Sequence, residues 1–130
     1  MKRLIYVFII MSLFVISMTS CKTNDAVGDG TETPPANTVY IYDNFFQPAT
    51  LTVSSPNTII TWVNKGSSSH TVTVGSPNTS EELSGILQEK FNSGTLAPGL
   101  SFSHTFQWEG NWNYYCQIHP QMRAEIKVRF

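Results

Sequence analysis

Residues 38–130 form a series of short runs rich in valine, isoleucine, threonine and aromatic residues, separated by clusters of proline, glycine, asparagine and serine. The runs are TVYIYDNFFQPATLTV, NTIITWVN, SHTVTV, LSFSHTFQW, NWNYYC and AEIKVRF. β-branched and aromatic residues favour strands, and strands at this spacing are typical of a β-sandwich. We therefore predict a single all-β domain over residues 38–130.

One stretch of this domain departs from the strand pattern. In TSEELSGILQEKFNSG, Ser80 precedes Glu81 and Glu82, which is the arrangement of a helix N-cap followed by acidic residues in the first turn. The pattern predicts a short helix or an ordered loop around residues 80–92. With Glu89, the two acids most simply form a solvated face, and a patch for a partner protein is the alternative.

The first 21 residues, MKRLIYVFIIMSLFVISMTSC, have the layout of a signal peptide. Lys2 and Arg3 precede an apolar run from Leu4 to Ile16, and small polar residues follow before Cys21. The apolar run is shorter than the roughly 18 to 20 residues that span a membrane as a helix. A signal peptide is therefore favoured over the alternative, a retained transmembrane anchor.

The segment MTSC resembles the cleavage site of a bacterial lipoprotein signal, although Met18 stands where such signals most often have leucine. This resemblance implies that residues 1–20 are removed and that Cys21 carries a lipid. The protein would then be anchored to a membrane of the bacterial cell envelope, facing the periplasm or lying at the cell surface. The alternative is ordinary secretion with Cys21 as a spare thiol.

Residues 22–37, KTNDAVGDGTETPPAN, contain no aromatic residue, two glycines, two adjacent prolines and several acids. Such a segment has too little apolar surface to offset the entropy of ordering, so we predict a flexible tether. Its root-mean-square span is roughly 20 to 25 Å. The predicted organisation is a signal peptide at 1–20, a lipidated Cys21 with its tether at 21–37, and the domain at 38–130.

The overall composition excludes some functions. The 130 residues carry 8 basic and 9 acidic side chains, so no nucleic-acid partner is expected. The protein is separately expected to be a monomer. The two cysteines, Cys21 and Cys116, lie on opposite sides of the tether. A lipid on Cys21 makes a disulfide between them unnecessary, so each cysteine has its own role.

The segment YYCQIHPQMR sets Cys116, His119 and Met122 three residues apart. Strand alternation places Cys116 on the same face as two apolar aromatic residues, and it places His70 on the same face as two valines in HTVTV. Both side chains are therefore predicted to point into the core. Taken singly, a buried histidine or cysteine is usually a packing residue.

Taken together, these residues predict a metal site. Cys116, His119 and Met122 can surround one point from a single turn, and an inward His70 can supply a fourth donor. Two imidazoles, a thiolate and a thioether are the soft donor set that selects copper, in a trigonal His₂Cys arrangement with a weak axial methionine. Structural zinc sites use more cysteines or histidines and rarely a thioether.

At this point the sequence resembles the cupredoxins, the blue copper proteins. The matching text covers nearly all of residues 38–130 and includes FFQPATLTV, TIITWVNKGSSSHTVTV, FNSGTLAPGLSFSHTF and YYCQIHPQM. The spacing C-x₂-H-x₂-M is similar to that of amicyanin. The resemblance implies a Greek-key β-sandwich that holds one type 1 copper through His70, Cys116, His119 and, as axial ligand, Met122.

The resemblance also implies a function, that of a one-electron carrier whose partners are redox proteins such as a cytochrome c or a copper oxidoreductase. In the family, the second histidine and the apolar residues around it form the docking face, here His119 and Ile118. Gln121 and Ser69 replace residues that are commonly apolar and proline, so a smaller patch is expected. Thr71 stands where many relatives have asparagine after the first histidine. Its hydroxyl is able to make a similar link, but the sequence leaves open whether it does.

An enzyme is not expected, because the sequence shows no Ser/His/Asp set, no paired buried carboxylates and no glycine-rich phosphate loop. The first alternative is a copper chaperone or sequestering protein of the envelope, which exposed methionine or histidine clusters would favour. The second is part of a multicopper enzyme, which needs more than the three histidines present. His104 is interpreted as structural, and the three tryptophans as packing residues: Trp62, Trp108 and Trp112.

Overall fold

The computed structural model describes residues 32–77 and 90–130, and every regular element within these ranges is a β-strand. No helix in the described residues is long and apolar enough to cross a membrane. The eight strands are β1 (Thr38–Ile41), β2 (Phe46–Gln47), β3 (Thr50–Val53), β4 (Thr58–Asn64), β5 (Thr73–Val74), β6 (Ser101–Phe106), β7 (Gly110–Tyr115) and β8 (Arg123–Val128).

The strands form two four-stranded sheets, one in the order β2-β1-β4-β6 and the other in the order β3-β8-β7-β5. Two neighbouring pairs, β1 with β4 and β3 with β8, are parallel, and the other pairs are antiparallel. The prediction of an all-β sandwich is therefore confirmed. Most of the predicted helix or loop around residues 80–92 lies outside the described residues.

Alternating burial along the strands shows why these segments pair as they do. In β4, Ile60, Trp62 and Asn64 are buried, whereas Ile59 is exposed. In β8, every second residue from Ala124 onwards is buried. One apolar face on each strand is what a two-layer sandwich requires, because the inner faces of the two sheets must cover each other.

An aromatic cluster fills the centre of the core around Trp62, which is fully buried. Its ring lies 5.6 Å from Tyr114, 5.7 Å from Phe91 and 5.7 Å from Phe102, measured between ring centroids. Such aromatic pairs contribute about 0.5–1.5 kcal/mol each beyond the area they bury. Because Tyr114 lies two residues before Cys116, the cluster fixes the end of β7, the strand that leads to the cysteine.

Two details of the packing differ from expectation. The segment HTVTV was expected to be one strand with alternating burial, but only Thr73 and Val74 form β5, and Thr71 is also buried. His70 is buried as predicted, although it sits in an isolated bridge with Leu96 and not in a strand. Trp108, interpreted as a packing residue, is 51% exposed.

The chain brings residues 64–71 and 116–122 together at one end of the sandwich, which we call the ligand end. β4 ends at Asn64 and β7 ends at Tyr115, so both segments follow directly from strands of opposite sheets. The backbone N–H of Thr71 lies 3.3 Å from the sulfur of Cys116, which links the two segments.

Candidate metal centre

The loop from Cys116 to Met122 joins β7 to β8 and is closed by its own backbone. The N–H of Cys116 donates to the carbonyl of Met122 at 3.1 Å, and the N–H of Met122 donates to the carbonyl of His119 at 2.9 Å. Cys116 and Met122 are buried, whereas His119 between them is partly exposed. The loop therefore turns both sulfur-bearing side chains inward and leaves the histidine near the surface.

His70 is held from the other sheet by backbone and side-chain hydrogen bonds. Its N–H donates to the carbonyl of Leu96 at 3.0 Å, and the N–H of Leu96 donates back at 2.7 Å. The buried amide of Asn64 donates to the carbonyls of Ser68 at 2.8 Å and of Leu96 at 2.9 Å. The position of the fully buried His70 is thus set by contacts from β4 and from the segment before β6.

Three predicted ligand atoms converge. The Nδ1 atoms of His70 and His119 are 3.2 Å apart, and the sulfur of Cys116 is 3.7 Å from the first and 3.8 Å from the second. The point equidistant from these three atoms lies about 2.1 Å from each, which matches the ~2.0–2.3 Å typical of bonds from protein nitrogen and sulfur to a metal ion. The triangle therefore has the dimensions of a metal site.

Thr71 connects the two halves of this site. The N–H of Gln117 donates to Oγ1 of Thr71 at 2.8 Å, and the N–H of Thr71 points to the sulfur of Cys116. A threonine hydroxyl therefore makes the link that the sequence resemblance assigned to asparagine. An N–H directed at the sulfur of Cys116 is a hydrogen bond that a metal-bound thiolate can accept.

The electrostatics of the site favour a neutral imidazole at His70. Burial lowers the pKa of His70, and the nearby Asp43 opposes that shift. Hydrogen bonds from the side chain of Ser67 and the backbone of Ser68 lower the pKa of Asp43 to about 2. A neutral imidazole keeps one nitrogen lone pair available for a metal ion.

The structure places the other predicted residues as follows. His104 lies against Phe91 and Phe106, at 4.8 and 4.9 Å between ring centroids, and is not part of the cluster formed by His70, Cys116 and His119. Cys21 and the acidic residues of the 80–92 segment lie outside the described residues.

Sequence reasoning missed two residues that shape the site, Asp43 and Asn64. Asp43 is distant in sequence from the ligands, and Asn64, although it precedes His70 by six residues, is not marked by any ligand spacing. The only available signal was Asn64 at a core-facing position of β4, where an asparagine must have hydrogen-bond partners.

The donor set and the geometry fit a copper ion, because two imidazoles and a thiolate form the triangle and a buried thioether ends the loop. Residues 36–129 match the family described as copper binding proteins, plastocyanin/azurin family. The chain belongs to this family. It is a cupredoxin, and its cofactor is one type 1 copper.

Solved structures agree with this assignment. A purple cupredoxin from Nitrosopumilus maritimus is 28% identical, with a TM-score of 0.58, over 70% of this chain and 97% of that one. An amicyanin variant in its reduced Cu(I) form is 24% identical, with a TM-score of 0.60, over 77% of this chain and 88% of that one, and it supports the fold.

A copper-containing nitrite reductase from Thermus scotoductus is 25% identical, with a TM-score of 0.60. The similarity covers 75% of this cupredoxin and only 23% of that enzyme. No curated protein matches the chain. The likeness to the reductase is therefore to one portion of a much longer protein.

Proposed function

We propose that this cupredoxin is a one-electron carrier of the bacterial cell envelope, in which His70, Cys116 and His119 bind the copper and Met122 is its weak axial ligand. The observation that carries the proposal is the triangle of donor atoms, already assembled with edges of 3.2 to 3.8 Å. Copper bound there supplies a one-electron couple between Cu(I) and Cu(II).

The protein's contribution is to keep the donors in place while the charge of the site changes. His70 is tied to Leu96 by two backbone hydrogen bonds, and Cys116 is tied to Met122 and Thr71. Donors fixed in this way oppose rearrangement between oxidation states, which keeps the barrier to electron transfer low. Of the three donor residues only His119 is partly exposed, so it offers a route from the site to a partner at the surface.

The same contacts argue against the alternative of a copper chaperone. Transfer of a metal ion between proteins requires donors that a partner can reach, and exposed methionine or histidine clusters would provide them. Here Cys116 and His70 are 0% exposed and Met122 is 1% exposed. Burial of these donors favours retention of the metal.

Voltammetry combined with a competition assay tests the proposal. The protein loaded with one equivalent of copper should give a reversible one-electron wave and should keep its copper in an excess of a Cu(I) chelator over many redox cycles. Loss of the metal to the chelator within a few cycles, with no reversible wave, would favour the chaperone instead.

The proposal of a lipid tether is supported by where the chain enters the domain. The side chain of Glu32 accepts hydrogen bonds from Tyr40 and Lys65, each at 3.2 Å, and Lys65 directly follows β4 at the ligand end. Glu32, which belongs to the predicted tether, thus lies beside the ligand end. We propose that a lipid on Cys21 holds the site near a membrane, within reach of a membrane-bound cytochrome c or copper oxidoreductase.

Replacement of Cys21 by alanine tests the tether separately from the copper site. The variant should bind copper with an unchanged spectrum but should carry no lipid and should remain uncleaved before residue 21. Membrane fractionation and intact-mass measurement check this outcome. A native protein that is found in the membrane fraction without the added mass of a lipid would contradict lipidation.

A further inference from the structure

The second ring nitrogen of His70, Nε2, lies on the side of the imidazole away from the donor triangle. The ring is fully buried, and the described residues offer Nε2 no hydrogen-bond partner of normal geometry. Its polar contact is with Oδ1 of Asp43, at 3.5 Å. An imidazole nitrogen buried in this way requires a hydrogen-bond partner, and the carboxylate of Asp43 is the polar group that it faces.

Asp43 is itself held in place by the segment that leads to His70. Its Oδ1 accepts hydrogen bonds from the backbone N–H groups of Ser67 at 2.8 Å and Ser68 at 2.9 Å, and its Oδ2 accepts one from the hydroxyl of Ser67 at 2.6 Å. Three donors to one carboxylate fit its ionised form, which only accepts hydrogen bonds. The charge is therefore fixed beside His70.

Gly66 provides the space for this carboxylate. A Cβ atom at position 66 would lie 2.5 Å from Oδ1 of Asp43, closer than nonbonded atoms approach. A glycine before Ser67 therefore allows Asp43 to reach both the backbone of the segment and the ring of His70.

We propose that Asp43 is a positioning residue of the copper site, which fixes the tautomer of His70 with its proton on Nε2 and strengthens electron donation from Nδ1. This inference rests on the proposed copper ligation by His70. A neutral imidazole has one donor and one acceptor nitrogen, and an ionised carboxylate only accepts, so the proton must be on the nitrogen that faces Asp43. Nδ1 is then free, facing Cys116 and His119.

The negative charge of Asp43 should also change the reduction potential of the site, in a direction that can be predicted. A carboxylate that faces the N–H of a ligating histidine makes the imidazole a stronger donor, and loss of such a partner typically costs 10- to 100-fold in metal affinity. A stronger donor stabilises Cu(II) more than Cu(I). Asp43 should therefore lower the reduction potential of the site.

Two variants separate this effect from simple anchoring of the segment. Asp43→Asn keeps an acceptor oxygen for Ser67 and Ser68 but removes the charge, whereas Ser67→Ala removes one anchoring bond and keeps the charge. We expect Asp43→Asn to shift the preference for Cu(II) over Cu(I) about tenfold towards Cu(I), a rise in potential of about 59 mV for one electron. In Ser67→Ala the preference for Cu(II) over Cu(I) should change less than twofold.

Equal shifts in the two variants, or a shift below twofold in Asp43→Asn, would overturn the proposal. Gly66→Ala offers an independent check, because it displaces the carboxylate without changing its charge, and it should also raise the potential. Thermal unfolding of each variant shows whether it is folded.

The tautomer is measured on the copper-free protein, so this test does not depend on the copper site. Long-range ¹H–¹⁵N correlation spectra at neutral pH should show the proton of His70 on Nε2. A proton on Nδ1 would overturn the role of Asp43, even if copper binds as proposed. If instead the tautomer is as expected but the native protein binds no copper, the proposed function fails and the positioning of His70 stands.

Discussion

The segment that carries His70 and the loop that carries Cys116, His119 and Met122 meet at the ligand end, but different contacts hold them there. The loop is closed by two short-range backbone bonds within seven residues. The His70 segment is held by two residues distant in sequence, Asp43 and Leu96, and by the side chain of Asn64 at the end of β4. A local loop therefore supplies most of the donors, and the sandwich as a whole positions the remaining one.

This contrast predicts different consequences of mutation in the two segments. Changes in the 116–122 loop should alter colour, potential or exchange rate, with little effect on stability. Changes in the polar residues that support His70 should first reduce the free energy of unfolding, because they leave buried polar groups without partners.

The largest effect is expected for Cys116→Ser in the loop. The variant should lose the intense visible absorption of the copper-loaded protein completely, because the thiolate is the source of that absorption. The sandwich core should remain folded, since the substitution replaces one sulfur atom by oxygen. Absorption and circular dichroism spectra measure both results, and a variant that keeps the colour would exclude Cys116 as the ligand.

Behind His70, Asn64→Ala removes two hydrogen bonds donated by the side chain and one that it accepts from the N–H of Gly66. We expect a loss of about 2–4 kcal/mol in the free energy of unfolding, because buried partners are left unpaired. The matched control is Asn113→Ala, on the exposed face of β7, with a change within about 0.5 kcal/mol. Urea denaturation of the copper-free proteins compares them, and equal losses would contradict the assigned role of Asn64.

Met122→Gln should keep the copper and lower its reduction potential, since an amide oxygen favours Cu(II) more than a thioether does. Voltammetry and the absorption spectrum check this expectation. A higher potential or a colourless variant would show that Met122 is not the axial ligand.

The smallest effect is expected for Ile118→Lys, at the exposed tip of the loop. Ile118 is 46% exposed beside His119, and an apolar surface suits brief contacts between redox partners. The variant should exchange electrons severalfold more slowly with its partner, with an unchanged copper spectrum. Ile59→Lys is the control, because Ile59 is 58% exposed near the opposite end of β4. If both variants behave alike, the docking face lies elsewhere.

The same contrast explains which features of the fold and of the site could be predicted from the sequence. The strands and the loop ligands are encoded locally, by alternation and by the three-residue spacing of Cys116, His119 and Met122. The burial of His70 was predicted, but from a strand alternation that the structure does not show, since the neighbouring Thr71 is buried as well. Asp43 reaches the site only through the pairing of β1 with β4, which no local pattern reveals.

The central claim is that His70, Cys116 and His119 bind one copper ion as a type 1 centre. Titration of the copper-free protein with Cu(II), followed by absorption spectroscopy, tests it most directly. We predict an intense visible thiolate-to-copper band that saturates at one equivalent and disappears on reduction. Saturation at another stoichiometry, or binding without such a band, would contradict the account.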